Sequence, residues 1–194
     1  MRKIAANYVF PVAGEPVRNG YVKFNDNNEV VEIGQLDGEC ADTEFYSGIL
    51  CPGFTNAHNH VELSHLVGAF EQATGMSGFI NQINALRNTV DKEGRIKALE
   101  YQMEKMYAEG VQAMADISNC SESFACKAKS PMYTRTFLEL FGSEPKDAQD
   151  VLESGKELAK VAQEYGIDAA ITPHSCYTMS PQLLAMAAQE GLES

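Results

Sequence analysis

Hydrophobic and polar positions follow two different patterns along this chain, and the change comes near residue 50. Residues 1–50 consist of short apolar runs separated by turn residues, as in YVKF followed by NDNNE. Such runs, joined by a short polar segment, are typical of β-hairpins. The first 50 residues are therefore predicted to form a small β unit.

From Gly48 onward, strand-like runs alternate with helical patterns. Apolar residues recur at helical spacing in SGFINQINALRN, GRIKALEYQMEKMYAEG, DAQDVLESGKELAKVAQEYG and SPQLLAMAAQEGL. The strands are predicted near 49–57, 111–117, 133–139 and 168–173, and the first of them, in GILCPGFTNAH, is expected to be buried. Alternating strands and helices predict an α/β fold with a parallel sheet of about four strand–helix units.

Composition and charge exclude several classes of partner. Acidic residues outnumber basic ones 27 to 15, and the formal net charge of −12 disfavours nucleic acid and anionic membranes as partners. No apolar run approaches the roughly 20 residues that a membrane-spanning helix needs. The five cysteines are scattered without a C-x-x-C pair, which favours free thiols and a cytoplasmic location.

The four histidines are placed unevenly, and three of them fall in PGFTNAHNHVELSH. Side chains two residues apart on a strand point to the same side, so His58 and His60 are expected to aim at one point where the first parallel strand ends. Neutral imidazole is a common ligand of zinc and other transition metals. An H-x-H pair also occurs in polar loops, but its position at a strand end favours a metal site.

Two motifs resemble the amidohydrolase superfamily, in its branch of cytosine, guanine and S-adenosylhomocysteine deaminases and triazine chlorohydrolases. GILCPGFTNAHNHVELS closely resembles the first-strand motif of that branch, including the NAHTHLELS pattern of aminodeoxyfutalosine deaminase-like members. PHSCYTMSP is similar to the HAPYTVSP motif that follows the fourth strand. Residues 1–50 resemble the N-terminal part of the small β-sandwich in these enzymes, so the resemblance covers the whole chain.

The resemblance implies a partial (β/α)8 TIM-type barrel over residues 51–194, preceded by the sandwich segment at 1–50. His58 and His60 would be metal ligands, with zinc favoured over iron, while His174, Glu62 and Tyr177 would contact substrate. The other metal ligands and the proton-shuttling groups of the family come from later strands. No catalytic residue is therefore expected in these 194 residues, and the chain is expected to be the N-terminal half of a longer, metal-dependent hydrolase.

The expected reaction is hydrolytic deamination of an amino-substituted heterocycle or nucleoside, or a related C–N or C–Cl hydrolysis. Two alternatives remain open: a half-barrel binding or structural module that dimerises, and a cyclic-amide hydrolase on the same scaffold. Asp116 and Glu139 lie near the predicted ends of the second and third strands, where hydrogen-bonding structural roles are expected. His65 is expected to be an ordinary polar residue.

Overall fold

A computed structural model of the protein describes residues 1–38 and 42–193. The chain divides into two compact units, one that ends at Gly53 and one that begins at Phe54. Each unit has its own four-stranded sheet. Among the described residues, no helix is long and apolar enough to cross a membrane.

The N-terminal unit contains a mixed sheet. Its strands are β1 (Arg2–Val9), β2 (Val17–Phe24), β3 (Val30–Gln35) and β4 (Glu44–Leu50). They lie in the order β3-β2-β1-β4; β1 runs parallel to β4 and the other pairs are antiparallel. The hairpin predicted at NDNNE is the β2–β3 connection, where the Asn25 carboxamide oxygen accepts hydrogen bonds from the backbone of Asn27 and Glu29.

A β-sandwich requires a second sheet that faces the first. Within residues 1–38 and 42–53, only the one mixed sheet occurs. Large apolar side chains on β4 are exposed, among them Phe45, Tyr46 and Ile49. The structure therefore shows a β unit in this region, and the sandwich stays a prediction.

The second unit has the alternating strand–helix order that the sequence predicts. Its strands are β5 (Phe54–Asn59), β6 (Val111–Ser118), β7 (Tyr133–Leu140) and β8 (Asp168–Pro173). Its α-helices are α1 (Gly75–Leu86), α2 (Lys92–Ala108), α3 (Phe124–Lys129), α4 (Ala148–Glu164) and α5 (Pro181–Glu193). Short 3-10 helices cover Val61–Leu66 and Pro145–Asp147. All four strands are parallel and adjacent in chain order.

The predicted buried strand at 49–57 is wrong in its bounds and its burial. β4 ends at Leu50, and a new strand begins at Phe54. Pro52, between them, has no backbone N–H to donate to a sheet. β5 is mostly exposed, with Phe54 61% accessible, because it stands at the edge of the described sheet and pairs only with β6 there.

Helix signals in the sequence correspond to the observed helix ends. The Ser180 hydroxyl accepts a hydrogen bond from the backbone N–H of Leu183, and Pro181 opens α5, as an N-cap and first-turn proline should. Gly110 and Gly166 follow α2 and α4 with φ of 96° and 68°. This left-handed conformation ends a helix at little cost only for glycine.

Buried apolar clusters among the described residues hold helices α2 to α5 on the sheet. One joins α4 and α5 to the ends of β7 and β8, and Leu183 is fully buried in it. A second packs Leu99 and Met103 of α2 against Val61 and Met114. This second cluster holds the segment directly after His60 against β6, and it therefore helps to position the end of β5.

Candidate active-site rim

Polar side chains collect at the carboxyl ends of all four parallel strands. His58 lies in β5, Asn119 directly follows β6, Glu139 lies near the end of β7, and His174 directly follows β8. In a parallel sheet these ends lie at one edge, where α/β folds place ligands. We refer to these residues, together with His60 and Glu62, as the rim.

The His58 and His60 side chains converge. Their ring centroids are 5.2 Å apart and their planes meet at 69°. His58 is exposed and His60 is half-buried. Two imidazoles therefore stand side by side at the end of β5, as the sequence predicts for two side chains that bind the same metal ion. Their role as metal ligands stays a prediction.

The chemistry of the rim fits part of a metal site. A catalytic zinc uses about three protein ligands and a water, and neutral imidazoles are suited to two of those positions. Within residues 1–38 and 42–193, no group of three or more His, Cys, Asp or Glu side chains could hold a metal ion. The predicted His58–His60 pair would supply two ligands, and the described residues do not complete a set of three.

A buried carboxylate fixes the chain directly after His60. One oxygen of Asp116 accepts a 2.8 Å hydrogen bond from the backbone N–H of Val61. The other oxygen accepts from the Ser118 hydroxyl at 3.0 Å. Asp116 is completely buried in β6, so this contact ties the His60–Val61 turn to the neighbouring strand. The expected structural role of Asp116 agrees with these contacts.

The charge of Asp116 is balanced by a buried lysine from α3. Lys127 Nζ lies 2.6 Å from the Asp116 carboxylate, and both side chains are almost completely buried. The ammonium group also donates to the hydroxyls of Ser118 at 2.9 Å and Thr136 at 3.2 Å. All three ammonium hydrogens thus have an acceptor, which a buried charge requires.

Glu62 is a second buried carboxylate at the rim. The backbone N–H of Asn119 donates to it at 3.0 Å, and the Cys120 thiol lies 3.4 Å from the same oxygen. Burial raises the pKa of Glu62 above its usual range, and the two hydrogen bonds only partly oppose this effect. Burial, together with the nearby Glu62, raises the pKa of the Cys120 thiol to about 11. Cys120 therefore stays a protonated thiol near neutral pH rather than a nucleophilic thiolate.

Glu139 and His174 form a hydrogen-bonded pair across the ends of β7 and β8. His174 Nδ1 lies 2.7 Å from one Glu139 oxygen. The second Glu139 oxygen accepts from the Asn119 carboxamide at 3.2 Å. The backbone N–H of His174 donates to the Leu140 carbonyl at 3.0 Å, which fixes the residue at the end of β8.

The remaining predicted residues differ in their surroundings. Tyr177 is 80% exposed, and its ring centroid lies 6.5 Å from that of His174. It thus stands beside His174 without being buried, and its substrate contact stays a prediction. His65 lies in the 3-10 helix after β5, and its Nε2 is 3.0 Å from the Arg87 carbonyl oxygen. This backbone contact agrees with the expectation of an ordinary polar residue.

Sequence reasoning missed Asn119 and Lys127. Asn119 could have been found, because it is the first residue after β6 on the edge that already carries the histidines. Lys127 offered no such signal, because a lysine in the short segment FACKAK resembles any solvated helix residue. Only the fold brings its ammonium group to Asp116.

Three solved structures show the fold that this chain shares. Helicobacter pylori aminofutalosine deaminase, in complex with methylthio-coformycin, is 22% identical with a TM-score of 0.76 over 100% of this chain and 48% of that one. Guanine deaminase from C. acetobutylicum, with guanine in its active site, is 10% identical with a TM-score of 0.70 over 99% of this chain and 50% of that one. Atrazine chlorohydrolase from Arthrobacter aurescens, complexed with zinc, is 12% identical with a TM-score of 0.72 over 100% of this chain and 51% of that one.

At these identities the likeness concerns the fold alone, and the chain spans about half the length of each neighbour. A search of curated protein sequences gave no match. The sequence model of the amidohydrolase family matches residues 49–193, which include both histidine motifs. Because this match covers most of the chain, the chain belongs to the amidohydrolase family.

Proposed function

We propose that the protein is a metal-dependent hydrolase that deaminates an amino-substituted heterocycle or nucleoside, or cleaves a related C–N or C–Cl bond. The observation that carries the proposal is the convergent pair of His58 and His60 at the end of β5, in a chain of the amidohydrolase family. The neighbours of the same fold include deaminases and a chlorohydrolase. Because these neighbours include both kinds of enzyme, they support hydrolysis of a C–N or C–Cl bond without deciding which of the two groups leaves.

The proposal includes a partial barrel. Strands β5 to β8 would be the first four strands of a (β/α)8 barrel over residues 51–194, and residues 1–50 would belong to a small β-sandwich. The parallel order of β5 to β8 and the barrel fold of the neighbours support this assignment. The remaining metal ligands and the proton-transferring groups would then lie outside the described residues.

In this proposal His58 and His60 hold a divalent metal, with zinc favoured over iron. A bound metal of this kind lowers the pKa of a coordinated water toward neutrality and so supplies hydroxide. The chain's own residues position this chemistry: Asp116 fixes the turn after His60 through the Val61 N–H. His174 and Glu62 on the rim, and Tyr177 beside His174, are the proposed substrate contacts.

A heterocycle is proposed as the substrate for a further reason. The guanine deaminase neighbour contains bound guanine, and the aminofutalosine deaminase neighbour contains methylthio-coformycin. On this chain, the His174 ring has two aromatic neighbours, Phe141 and Tyr177, at centroid distances of 6.4 and 6.5 Å. Aromatic side chains beside a polar ring suit a planar ligand that needs both stacking and hydrogen bonds.

The test is release of ammonia, or of chloride, from a panel of amino- and chloro-substituted heterocycles by the purified full-length protein. We expect release that is lost on chelation, restored by zinc, and abolished in His58→Asn. The matched control His65→Asn should retain activity, because the hydrogen bond that the structure shows for the His65 ring is to the Arg87 backbone, away from the proposed metal. Release that survives His58→Asn would overturn the proposal. Ring opening of a cyclic amide without ammonia or chloride would favour a cyclic-amide hydrolase, and a stable dimer without turnover would favour a binding module.

A further inference from the structure

The Glu139 carboxylate is hydrogen-bonded by two other rim residues, unlike a surface carboxylate that contacts only solvent. Its side chain is only 12% exposed, and both carboxylate oxygens are used, one by His174 and the other by Asn119. The Asn119 carboxamide nitrogen also donates to the Glu139 backbone carbonyl at 3.2 Å. The carboxylate is therefore held from two directions, and the His174 ring meets an acceptor with a fixed position.

The same contacts define which His174 nitrogen carries hydrogen. An ionised carboxylate only accepts hydrogen bonds, so the His174 nitrogen that faces it has to donate. The Asn119 carboxamide faces two oxygens of Glu139, so its nitrogen, and not its oxygen, lies on this side. Both neighbours of the carboxylate are consequently donors, and Nδ1 of His174 carries the hydrogen in the neutral ring as well as in the protonated one.

We propose that Glu139 is a positioning residue that holds the His174 ring as the Nδ1–H tautomer and thereby leaves Nε2 as the nitrogen that meets the ligand. Among the described residues, Nε2 of His174 has no hydrogen-bond partner, and the His174 side chain is 37% exposed. The tautomer of a histidine is set by the hydrogen bond that its other nitrogen makes. The neutral His174 ring then offers a lone pair at the rim.

The proposal assigns a ligand chemistry to this position. An unprotonated Nε2 accepts hydrogen bonds, so His174 selects a ligand with a donor there, such as a hydroxyl or an N–H group. A ligand with a carbonyl at the same place would set its acceptor oxygen against the acceptor Nε2, and the contact would be lost. This ligand assignment rests on the proposed function, whereas the tautomer itself does not.

The arrangement extends from Glu139 to the segment that follows β5. The backbone N–H of Asn119 donates to Glu62, while its carboxamide donates to Glu139. A continuous series of hydrogen bonds therefore runs from Glu62, after β5, through Asn119 to Glu139 and His174. From the first position after β6, Asn119 thus donates hydrogen bonds to both carboxylates.

The tautomer is measured by nitrogen-15 NMR of the histidine rings in the full-length protein, at a pH where the rings are neutral. The His174 signals are assigned by their absence in His174→Gln. We expect a protonated Nδ1 and an unprotonated Nε2. Glu139→Ala should lose this preference and shift His174 toward the Nε2–H form, while Glu144→Ala, which removes an exposed acid, should leave the signals unchanged.

An Nε2–H tautomer in the unsubstituted protein would overturn the proposal, even if Glu139→Ala does not fold. An unchanged His174 tautomer in a folded Glu139→Ala protein would do the same. The measurement needs neither substrate nor metal, so its outcome is independent of the proposed reaction. With an active substrate, Glu139→Ala should raise KM by up to about 10-fold, the value of one hydrogen bond, while kcat and metal content change little.

Discussion

At the scale of single residues, the rim depends on two buried carboxylates that are stabilised in different ways. Asp116 has a lysine at 2.6 Å, whereas Glu62 forms no ion pair within residues 1–38 and 42–193 and is hydrogen-bonded by Asn119 and Cys120. Burial of a charge without an ion-pair partner costs free energy, and this cost is expressed as a raised pKa. The two residues should therefore respond differently to substitution.

Glu62→Gln should make the protein more stable than wild type near neutral pH. Burial raises the pKa of Glu62 in the folded protein above the usual 4.5. At pH values between 4.5 and that raised pKa, the native state therefore binds more protons than the unfolded state. The contribution of Glu62 to the free energy of unfolding is thus most favourable at acid pH, and it is lost as the pH rises through the raised pKa. Glutamine keeps an acceptor for the Asn119 N–H and does not ionise.

Denaturant unfolding of wild type and Glu62→Gln, followed from pH 4 to pH 7, measures this effect. The stability difference should grow in favour of the variant as the pH rises. The exposed Glu71→Gln serves as the control, with a difference that stays constant. A Glu62→Gln variant whose disadvantage grows with pH would show that the Glu62 carboxylate is stabilised in the fold.

Lys127→Met should destabilise the protein by about 3–5 kcal/mol, because it leaves the Asp116 carboxylate buried without its partner charge. Lys129→Met provides a matched control two residues away in α3, where the side chain is exposed, and it should change stability by less than about 0.5 kcal/mol. Equilibrium urea unfolding gives both values. Equal effects of the two substitutions would contradict a structural role for the Asp116–Lys127 pair.

At the scale of elements, periodicity predicted the long helices and the strands β6 to β8 well. The sequence expectation for the fourth strand, 168–173, equals the observed Asp168–Pro173. The six residues of α3 were missed, since fewer than two helical turns do not show a period. The break between β4 and β5 was missed because one apolar run, GILCPGF, spans it, and only pairing with different sheets separates the two strands.

The packing of α5 supports a further stability prediction. Leu183 is fully buried among residues of β7, β8 and α4, so Leu183→Ala should cost about 2–5 kcal/mol through lost burial and a residual cavity. Leu192→Ala on the same helix should have little effect, since Leu192 is 89% exposed. Thermal or urea unfolding separates the two. A large loss at Leu192 and none at Leu183 would mean that α5 presents its other face to the sheet.

At the scale of the whole molecule, the rim is assembled from residues far apart in the chain. The sequence predicted the pair of His58 and His60 because the alternation of a strand brings neighbouring positions together. It could not predict the Glu62–Asn119–Glu139–His174 series, because these contacts depend on the order and register of four parallel strands. The family match and the neighbours of the same fold connect this rim with hydrolases, while the metal itself remains the point to test.

The most direct test is the metal content of the full-length protein, measured by elemental analysis after purification in the presence of zinc. We expect stoichiometric metal in wild type and in His65→Asn, and loss of metal in His58→Asn and His60→Asn. Circular dichroism should confirm that all four proteins are folded. Stoichiometric metal in a folded His58→Asn or His60→Asn variant, or its loss only in His65→Asn, would show that His58 and His60 do not hold the metal.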